Sequence, residues 1–256
     1  MRATLGIVTG ALALTAFAAP AAQADEHVGN TKISNVVVNG GKPIVLGATA
    51  KKTVKVKFTV TDNSGVWRAA AQLFHGKSIE TADSAAASGS TWIKCTKVSS
   101  TKATCSANYT FTAGANANNS VAGTWKTWAI AQAKDNNYVQ KDNAKSFKVQ
   151  RATKLETADA SPEPVIKGES VTVTSKLTRA NWNTGTTGGY GSQSVKLQFK
   201  KAGTSTYKDV KTVKSDSTGA VTATVKATVD GTYRYVFAGS SGTAAATAVG
   251  DTIDVQ

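Results

Sequence analysis

A strictly alternating segment near the end of the chain constrains the fold more than any other stretch. In residues 231–239, GTYRYVFAG, the aromatic side chains of Tyr233, Tyr235 and Phe237 occupy every second position, and Arg234 stands between two of them. A period of two is that of a β-strand with one face turned inward. The segment therefore predicts a core strand of a β-sandwich, with the aromatic row buried and Arg234 on the outer face.

The same alternation recurs along the chain in two groups. Residues 52–61 alternate Val and Phe with Lys and Thr and end at the turn sequence Asp-Asn-Ser-Gly, and further short strands follow at similar spacing. Only 4 Pro and 1 Met occur, whereas Thr, Val, Ala, Ser, Lys and Gly dominate. This composition favours strands and turns. The sequence predicts an all-β protein with two β-sandwich domains in tandem, residues 25–150 and 151–256.

The first 24 residues have the pattern of a cleaved signal peptide. An apolar stretch follows Arg2 and ends at Ala22-Gln23-Ala24, a small-x-small cleavage sequence. No later stretch approaches the roughly 20 apolar residues of a spanning helix, so no membrane span is expected. The mature chain is predicted to be secreted and extracellular, and residues 25–30, short and polar, to form a mobile tail.

Cys95 and Cys105 are the only cysteines. An even pair in an exported chain indicates a disulfide, and a separation of ten residues suits a bridge across a hairpin. A catalytic or metal-binding thiol is the alternative, and oxidising surroundings disfavour it.

The chain is strongly basic, and the excess lies mainly in the first predicted domain. The formal net charge is +14. Residues 25–150 carry 16 basic and 7 acidic side chains, whereas residues 151–256 carry 13 and 9. Such a field attracts anionic polymers, which for a secreted protein means anionic or polysaccharide material of the cell envelope more than nucleic acid. The alternative is that outward lysines keep the sheets soluble and protect their edges.

One long loop in the second domain is a candidate ligand site. The segment RANWNTGTTGGYGSQS places Trp182 and Tyr190 among Gly, Asn and Thr residues. Loops at the ends of a sandwich carry binding sites in many proteins, and these aromatic rings are suited to stacking on a sugar or a base. The alternative is that both rings lie over the end of the sandwich and cover its core.

The second domain contains a series of strand and turn motifs that runs from Val171 through SVKLQFKKAG and VKTVKSDSTG to GTYRYVFAG. With these motifs it resembles the immunoglobulin-like modules of proteins secreted by actinobacteria. The whole mature chain is similar to a streptomycete-type secreted family of unknown function with tandem immunoglobulin-like domains, some members of which are labelled calcium-binding. The resemblance implies fold and export and assigns no catalytic residue.

Calcium binding and a terminal copper site are the two metal hypotheses. Asp62 and Asp135 begin Asp/Asn-rich segments, but neither has the spacing of an EF-hand, and turn formation explains such clusters better than calcium binding does. Cleavage after Ala24 would leave Asp25-Glu26-His27 at the amino terminus. The free amine, two amide nitrogens and the imidazole could then surround Cu²⁺ or Ni²⁺ in a square plane.

Enzymatic function is not expected. His27 and His75 are the only histidines, and no nucleophile elbow, zinc-binding HExxH or phosphate-cradling loop occurs. We expect a non-enzymatic secreted binding or surface-associated protein without a resident cofactor, which engages anionic or polysaccharide envelope material. The alternative is an inhibitor or partner of an extracellular enzyme that presents the hairpin from Lys97 to Lys102. A calcium-binding protein is the third hypothesis.

Overall fold

The structure, a computed structural model, describes residues 25–86 and 88–256. The predicted signal peptide at residues 1–24 lies outside these described residues. Within them, regular structure is almost entirely β-strand, with single-turn 3-10 helices at Asn39–Gly41 and Asn119–Val121. The expected all-β class is confirmed.

Ten strands build the first sandwich. One sheet has the order β1-β10-β9-β5-β6 with β3 parallel to β10, and the other has the order β2-β4-β8-β7. Their bounds are β1 Glu26–Val28, β2 Lys32–Val38, β3 Ile44–Leu46, β4 Lys51–Thr61, β5 Val66–His75, β6 Ser84–Ala86, β7 Lys94–Ser99, β8 Lys102–Thr112, β9 Gly123–Ala133 and β10 Tyr138–Arg151.

Inward-facing side chains of both sheets fill the core of this sandwich. Phe58 and Phe111 come from one sheet and Trp125 from the other, and all three are fully buried. The hydroxyl of Tyr109 on β8 donates to the carbonyl oxygen of Ala71 on β5 at 2.8 Å. Burial raises the pKa of Tyr109 to about 12, so the phenol remains a neutral donor at physiological pH and joins the two sheets.

Ten further strands build the second sandwich. Strand β13 pairs with β11, β12, β14 and β17, and the facing sheet has the order β16-β15-β18-β19 with β20 against β18. Their bounds are β11 Thr153–Leu155, β12 Asp159–Ser161, β13 Ser170–Asn181, β14 Thr186–Gly189, β15 Ser194–Lys201, β16 Lys208–Lys214, β17 Ala220–Lys226, β18 Gly231–Phe237, β19 Ala246–Thr247 and β20 Asp251–Ile253.

Strand β18 contains the alternating aromatic row of residues 231–239. Tyr233, Tyr235 and Phe237 are buried, as predicted, and Arg234 lies on the outer face. The hydroxyl of Tyr235 donates to the carbonyl oxygen of Val173 on the facing sheet at 2.7 Å. Each sandwich thus contains one buried tyrosine that joins its two sheets, and the chain has the predicted fold of two tandem immunoglobulin-like β-sandwiches.

The first described residues differ from the prediction. Residues 26–28 form β1, which pairs antiparallel with the edge of β10, with His27 opposite Val139. The predicted mobile tail is therefore wrong over these residues. The physical reason is that β10 presents an edge whose backbone groups gain hydrogen-bond partners when another strand is added. Asp25 contributes as well, since its carboxylate accepts a hydrogen bond from the backbone of Asp142 at 3.2 Å.

The two sandwiches are joined closely. Only Ala152 separates β10 from β11, so the boundary predicted between residues 150 and 151 lies at the end of β10. The backbone N–H of Arg151 donates to the carbonyl of Gly242 at 3.0 Å, and its carbonyl accepts from the N–H of Ala244 at 3.0 Å. The last residue of the first domain's sheet is thus hydrogen-bonded to a loop of the second domain.

Candidate functional site

Three turns meet at one end of the first sandwich, namely those that connect β4 to β5, β7 to β8 and β9 to β10. The backbone N–H of Asp62 donates to the carbonyl of Thr101 at 2.9 Å. The N–H of Lys134 donates to the carbonyl of Gly65 at 3.0 Å. These bonds join all three turns into one rigid base, although the turns lie far apart in the sequence.

Gly65 allows the turns to approach this closely. Its φ of +94° lies in the region that glycine adopts without strain. A Cβ atom at this position would lie 2.7 Å from the carbonyl oxygen of Ser100. A larger residue here would therefore push the β7–β8 hairpin away from the β4–β5 turn.

Asp62, a predicted calcium candidate, is a buried turn residue. Its carboxylate accepts from the backbone N–H of Ser64 at 2.8 Å, from the Ser64 hydroxyl at 2.6 Å and from the Thr31 hydroxyl at 2.7 Å. Burial alone would raise the pKa of Asp62, but the hydrogen bonds from Ser64 and Thr31 lower it to below its ordinary value. Both carboxylate oxygens already have protein partners, so Asp62 acts in turn formation.

Asp135, the other calcium candidate, has the same local role in the β9–β10 turn. Its carboxylate accepts from the backbone N–H of Asn137 at 3.1 Å and from the side-chain amide of that residue at 2.9 Å. Within residues 25–86 and 88–256, no group of three or more His, Cys, Asp or Glu side chains is arranged to hold a metal ion. The structure brings Asp62 and Asp135 into adjacent turns, with the hydroxyl of Ser64 between them.

A shallow groove of about 110 Å³ lies beside these turns, between the β7–β8 hairpin and the beginning of β5. Lys97 and Lys102, predicted to flank an inhibitor-like loop, lie on strands β7 and β8 and contribute to its wall. We call it the basic groove, after the side chains that dominate its lining: Trp67, Lys97, Ser99, Ser100, Lys102 and Lys134.

The lysines of the basic groove make no ion pair within the described part of the chain. The groove lining contains three lysines and no carboxylate. The ion pairs found among the described residues lie elsewhere, His75 with Asp83 at 2.7 Å and Lys196 with Asp209 at 2.6 Å. Like charges gathered on one concave surface produce a positive potential that attracts anions.

Trp67 forms the aromatic wall of the basic groove and was not predicted as a site residue from the sequence. Val66 pairs with Ala133 and Arg68 pairs with Gln132, so Trp67 has no partner and occupies a β-bulge. A bulge redirects a side chain out of the regular alternation. Trp67 is 55% exposed, unlike most tryptophans in folded proteins. The adjacent Trp-Arg pair, one residue after the Asp-Asn-Ser-Gly turn, is the sequence signal that could have identified it.

The predicted disulfide between Cys95 and Cys105 is confirmed. The two residues are direct cross-strand partners on β7 and β8, and Cys105 is fully buried. Cys95 lies in the lining of the basic groove. The disulfide therefore holds edge strand β7, which carries Lys97, against the rest of the sheet.

Trp182, a predicted ligand residue, lies at the junction of the two domains. Its indole is only 1% exposed and packs with the core of the first sandwich. The indole N–H donates to the carbonyl of Leu46 at 3.2 Å, and its backbone N–H donates to the side chain of Asn119 at 2.9 Å. A ring in this position is inaccessible to a ligand.

Tyr190, the other aromatic residue of the predicted ligand loop, packs on the second sandwich. Its ring contacts Phe237 edge-on, with centroids 5.8 Å apart. The guanidinium carbon of Arg179 lies 3.7 Å from the Tyr190 ring centroid on the outer side. The structure therefore does not bring Trp182 and Tyr190 together into one exposed stacking platform.

Of the predicted copper or nickel residues, Glu26 and His27 lie in strand β1, where Glu26 pairs with Gln140, and Asp25 immediately precedes the strand. Square-planar coordination requires the backbone to wrap around the metal so that consecutive nitrogens converge. An extended backbone in a β-ladder points consecutive amides in opposite directions. Metal binding by these residues would therefore require β1 to separate from β10.

Searches for related proteins assign no family, since no protein-family model and no curated protein matches the chain. Many solved structures match the chain, and three of them follow. The three N-terminal domains of the bacteriophage RB49 outer capsid protein Hoc have a TM-score of 0.30 and 10% identity, with 88% of this chain and 71% of that chain covered. The D00-D0 domain of intimin has a TM-score of 0.28 and 14% identity, with coverage of 87% and 99%.

The third similar structure is a Corynebacterium diphtheriae protein described as membrane anchored, with a TM-score of 0.27 and 14% identity. The match covers 88% of this chain and spans 59% of that protein's length. Such low TM-scores carry no function over to this chain. In the described part of the chain, no helix is both long and apolar enough to cross a membrane.

Proposed function

We propose that this chain is a non-enzymatic secreted binding protein that holds an anionic polysaccharide of the cell envelope in the basic groove. The observation that carries the proposal is the exposed indole of Trp67 beside Lys97, Lys102 and Lys134 on one concave surface. Export is supported by the predicted signal peptide and by the confirmed disulfide, which forms in oxidising compartments.

The side-chain chemistry of the basic groove favours a charged sugar polymer. An exposed indole presents a large, rigid apolar face on which the C–H face of a sugar ring can stack. Three lysines supply positive point charges for carboxylate, phosphate or sulfate groups carried by the same polymer. Neither histidine nor carboxylate lines the groove, so the lining offers no general acid–base pair for glycoside hydrolysis.

The size of the groove favours a chain that passes over it instead of a small molecule enclosed within it. Its volume of about 110 Å³ is well below the roughly 300–1,000 Å³ of pockets that enclose drug-sized ligands. A polymer needs only a local contact of this size, because repeated weak contacts along several protein molecules add together as avidity.

Binding to purified bacterial cell wall and to immobilised polygalacturonate tests the proposal. We expect retention at about 50 mM NaCl and release as the salt rises toward about 300 mM, because exposed charges are screened over this range. The Lys97→Ala/Lys102→Ala double variant should lose most retention. A matched double variant on the exposed second-domain strand β16, Lys208→Ala/Lys211→Ala, removes the same charge and should retain wild-type behaviour.

The Trp67→Ala variant separates stacking from charge. It leaves every lysine in place, so the salt dependence should remain while the affinity for polygalacturonate falls about tenfold, equivalent to about 1.4 kcal/mol. Retention that does not respond to salt, or that both double variants weaken equally, would contradict binding in the basic groove.

A further inference from the structure

Arg68 lies next to the basic groove, between two exposed tryptophans on the outer face of the first sandwich. Its guanidinium carbon is 4.0 Å from the ring centroid of Trp67 and 4.0 Å from that of Trp92. The two indoles are 55% and 39% exposed. The guanidinium group is thus in contact with two aromatic rings that themselves remain partly exposed to solvent.

One edge of the guanidinium group is also fixed. The Nε–H of Arg68 donates to the side-chain oxygen of Gln132, its cross-strand partner, at 2.9 Å. The two terminal amino groups make no hydrogen bond and no ion pair with any residue in the described ranges 25–86 and 88–256. The part of Arg68 left for a ligand is therefore the terminal fork, which presents parallel N–H donors.

The second sandwich contains a similar arrangement that also includes a carboxylate. Arg234 donates through Nε to Gln198 at 3.0 Å and lies 3.6 Å from the ring centroid of Tyr207. There, Gln198 donates onward to Asp209 at 2.7 Å, and Lys196 pairs with the same carboxylate. The hydrogen-bonded pair of Arg68 and Gln132 includes no corresponding carboxylate, so the positive charge of Arg68 has no ion-pair partner within the described chain.

We infer that the terminal fork of Arg68 binds a sugar carboxylate, with Trp67 and Trp92 as flanking walls, and that this contact selects uronic-acid polymers for the basic groove. The inference rests on the proposed function and names its ligand class. Arginine pairs with a carboxylate through two parallel hydrogen bonds. A planar carboxylate can pair with the fork in the plane of the guanidinium, beside the two indoles, whereas a tetrahedral phosphate or sulfate is thicker in the direction perpendicular to that plane.

Trp67 connects the two contact regions, since it stacks on Arg68 and also lines the basic groove. A polysaccharide that passes over the Trp67 indole reaches the groove lysines on one side and the Arg68 fork on the other. The lysines attract any polyanion, because a lysine ammonium is a point charge without planar preference. Selection of carboxylate over phosphate or sulfate therefore depends on Arg68.

Calorimetric titration with an oligogalacturonate, its methyl ester and a sulfated oligosaccharide of equal charge tests the inference. Arg68→Lys keeps the charge but removes the fork, and it should weaken oligogalacturonate binding about tenfold or more. The matched Arg234→Lys variant should change it less than about twofold. Binding of the methyl ester should be weak, and binding of the sulfated probe should be unaffected by Arg68→Lys.

A second variant keeps Arg68 itself in place. Gln132→Glu places a carboxylate beside the guanidinium of Arg68. This variant should reduce the affinity for oligogalacturonate. The matched variant Gln198→Glu, beside Arg234, should leave the affinity for oligogalacturonate unchanged. Thermal unfolding of each variant shows whether the fold is retained.

The outcomes separate this inference from the proposed function. If Arg68→Lys and Gln132→Glu bind oligogalacturonate like the wild type while Lys97→Ala/Lys102→Ala loses cell-wall retention, the Arg68 inference is overturned and the groove proposal stands. If oligogalacturonate binding depends on Arg68 but wild-type protein is not retained on cell wall, the carboxylate site is supported and the proposed function fails. Equal loss of sulfated and carboxylated probes in Arg68→Lys would overturn the carboxylate preference.

Discussion

Trp67 and Trp182 occupy opposite positions in the molecule. Trp67 is 55% exposed and lines a basic groove, whereas Trp182 is 1% exposed and packs at the domain junction. The loop that carries Trp182 faces the first domain because only Ala152 separates the last strand of one sandwich from the first strand of the next. In a tandem of sandwiches, loops at the shared end join the domains, and binding surfaces are to be sought at the free end.

The largest expected effect comes from the buried member of this pair. Trp182→Ala removes a fully packed indole and its hydrogen bond to Leu46, so it should lower the free energy of unfolding by about 3–5 kcal/mol. Trp67→Ala should change it by less than about 0.5 kcal/mol, because the ring is largely exposed. Urea denaturation monitored by circular dichroism gives both values. Equal destabilisation by the two substitutions would contradict the comparison.

The disulfide beside the basic groove should have the next largest effect. Replacing Cys95 and Cys105 together by alanine should lower the free energy of unfolding by about 2–3 kcal/mol, because the unfolded chain regains the entropy of a short loop. The same variant should bind cell wall more weakly, since strand β7 and Lys97 lose their covalent restraint. Undiminished retention on cell wall would show that the groove does not depend on a fixed hairpin.

A smaller effect is expected from Asp62 at the base of the groove. Asp62→Ala leaves Thr31 and the backbone of Ser64 without their acceptor and should cost on the order of 1–2 kcal/mol. Because the folded-state pKa of Asp62 lies below its ordinary value of 3.8, its contribution to stability is present above that pH and is lost as the pH falls through the folded pKa.

Denaturation curves at pH 6 and at about pH 3 measure this contribution of Asp62. The difference between wild type and Asp62→Ala should be smaller at the lower pH. The exposed Asp135 provides the control, because its substitution by alanine should cost less at pH 6. Micromolar calcium binding that either substitution removed would instead make these two aspartates metal ligands.

Local patterns were sufficient to predict the sandwich fold. The inward row of Tyr233, Tyr235 and Phe237 follows from a period of two, and the bridge between Cys95 and Cys105 follows from an even pair at hairpin spacing. Both features depend on residues close together in the sequence, where alternation and turn chemistry determine the outcome.

The basic groove could not be predicted because its parts come from three separate turns. Asp62 bonds to Thr101, and Lys134 bonds to Gly65, across distances that no local pattern encodes. The β-bulge that exposes Trp67 also breaks the alternation of inward and outward side chains along β5, which is the pattern used to predict strands from the sequence. Strand β1 was missed for a related reason, since its stability comes from the edge of β10 and not from its own short polar sequence.

The most direct test of this comparison is the set of tryptophan indole N–H signals in a ¹⁵N-labelled sample of the full chain during titration with oligogalacturonate. If the ligand surface lies at the free end of the first sandwich, the signals of Trp67 and Trp92 should shift in proportion to saturation, while those of Trp125 and Trp182 stay in place. A shift of the Trp182 signal with Trp67 and Trp92 unchanged would contradict the account and return the site to the domain junction.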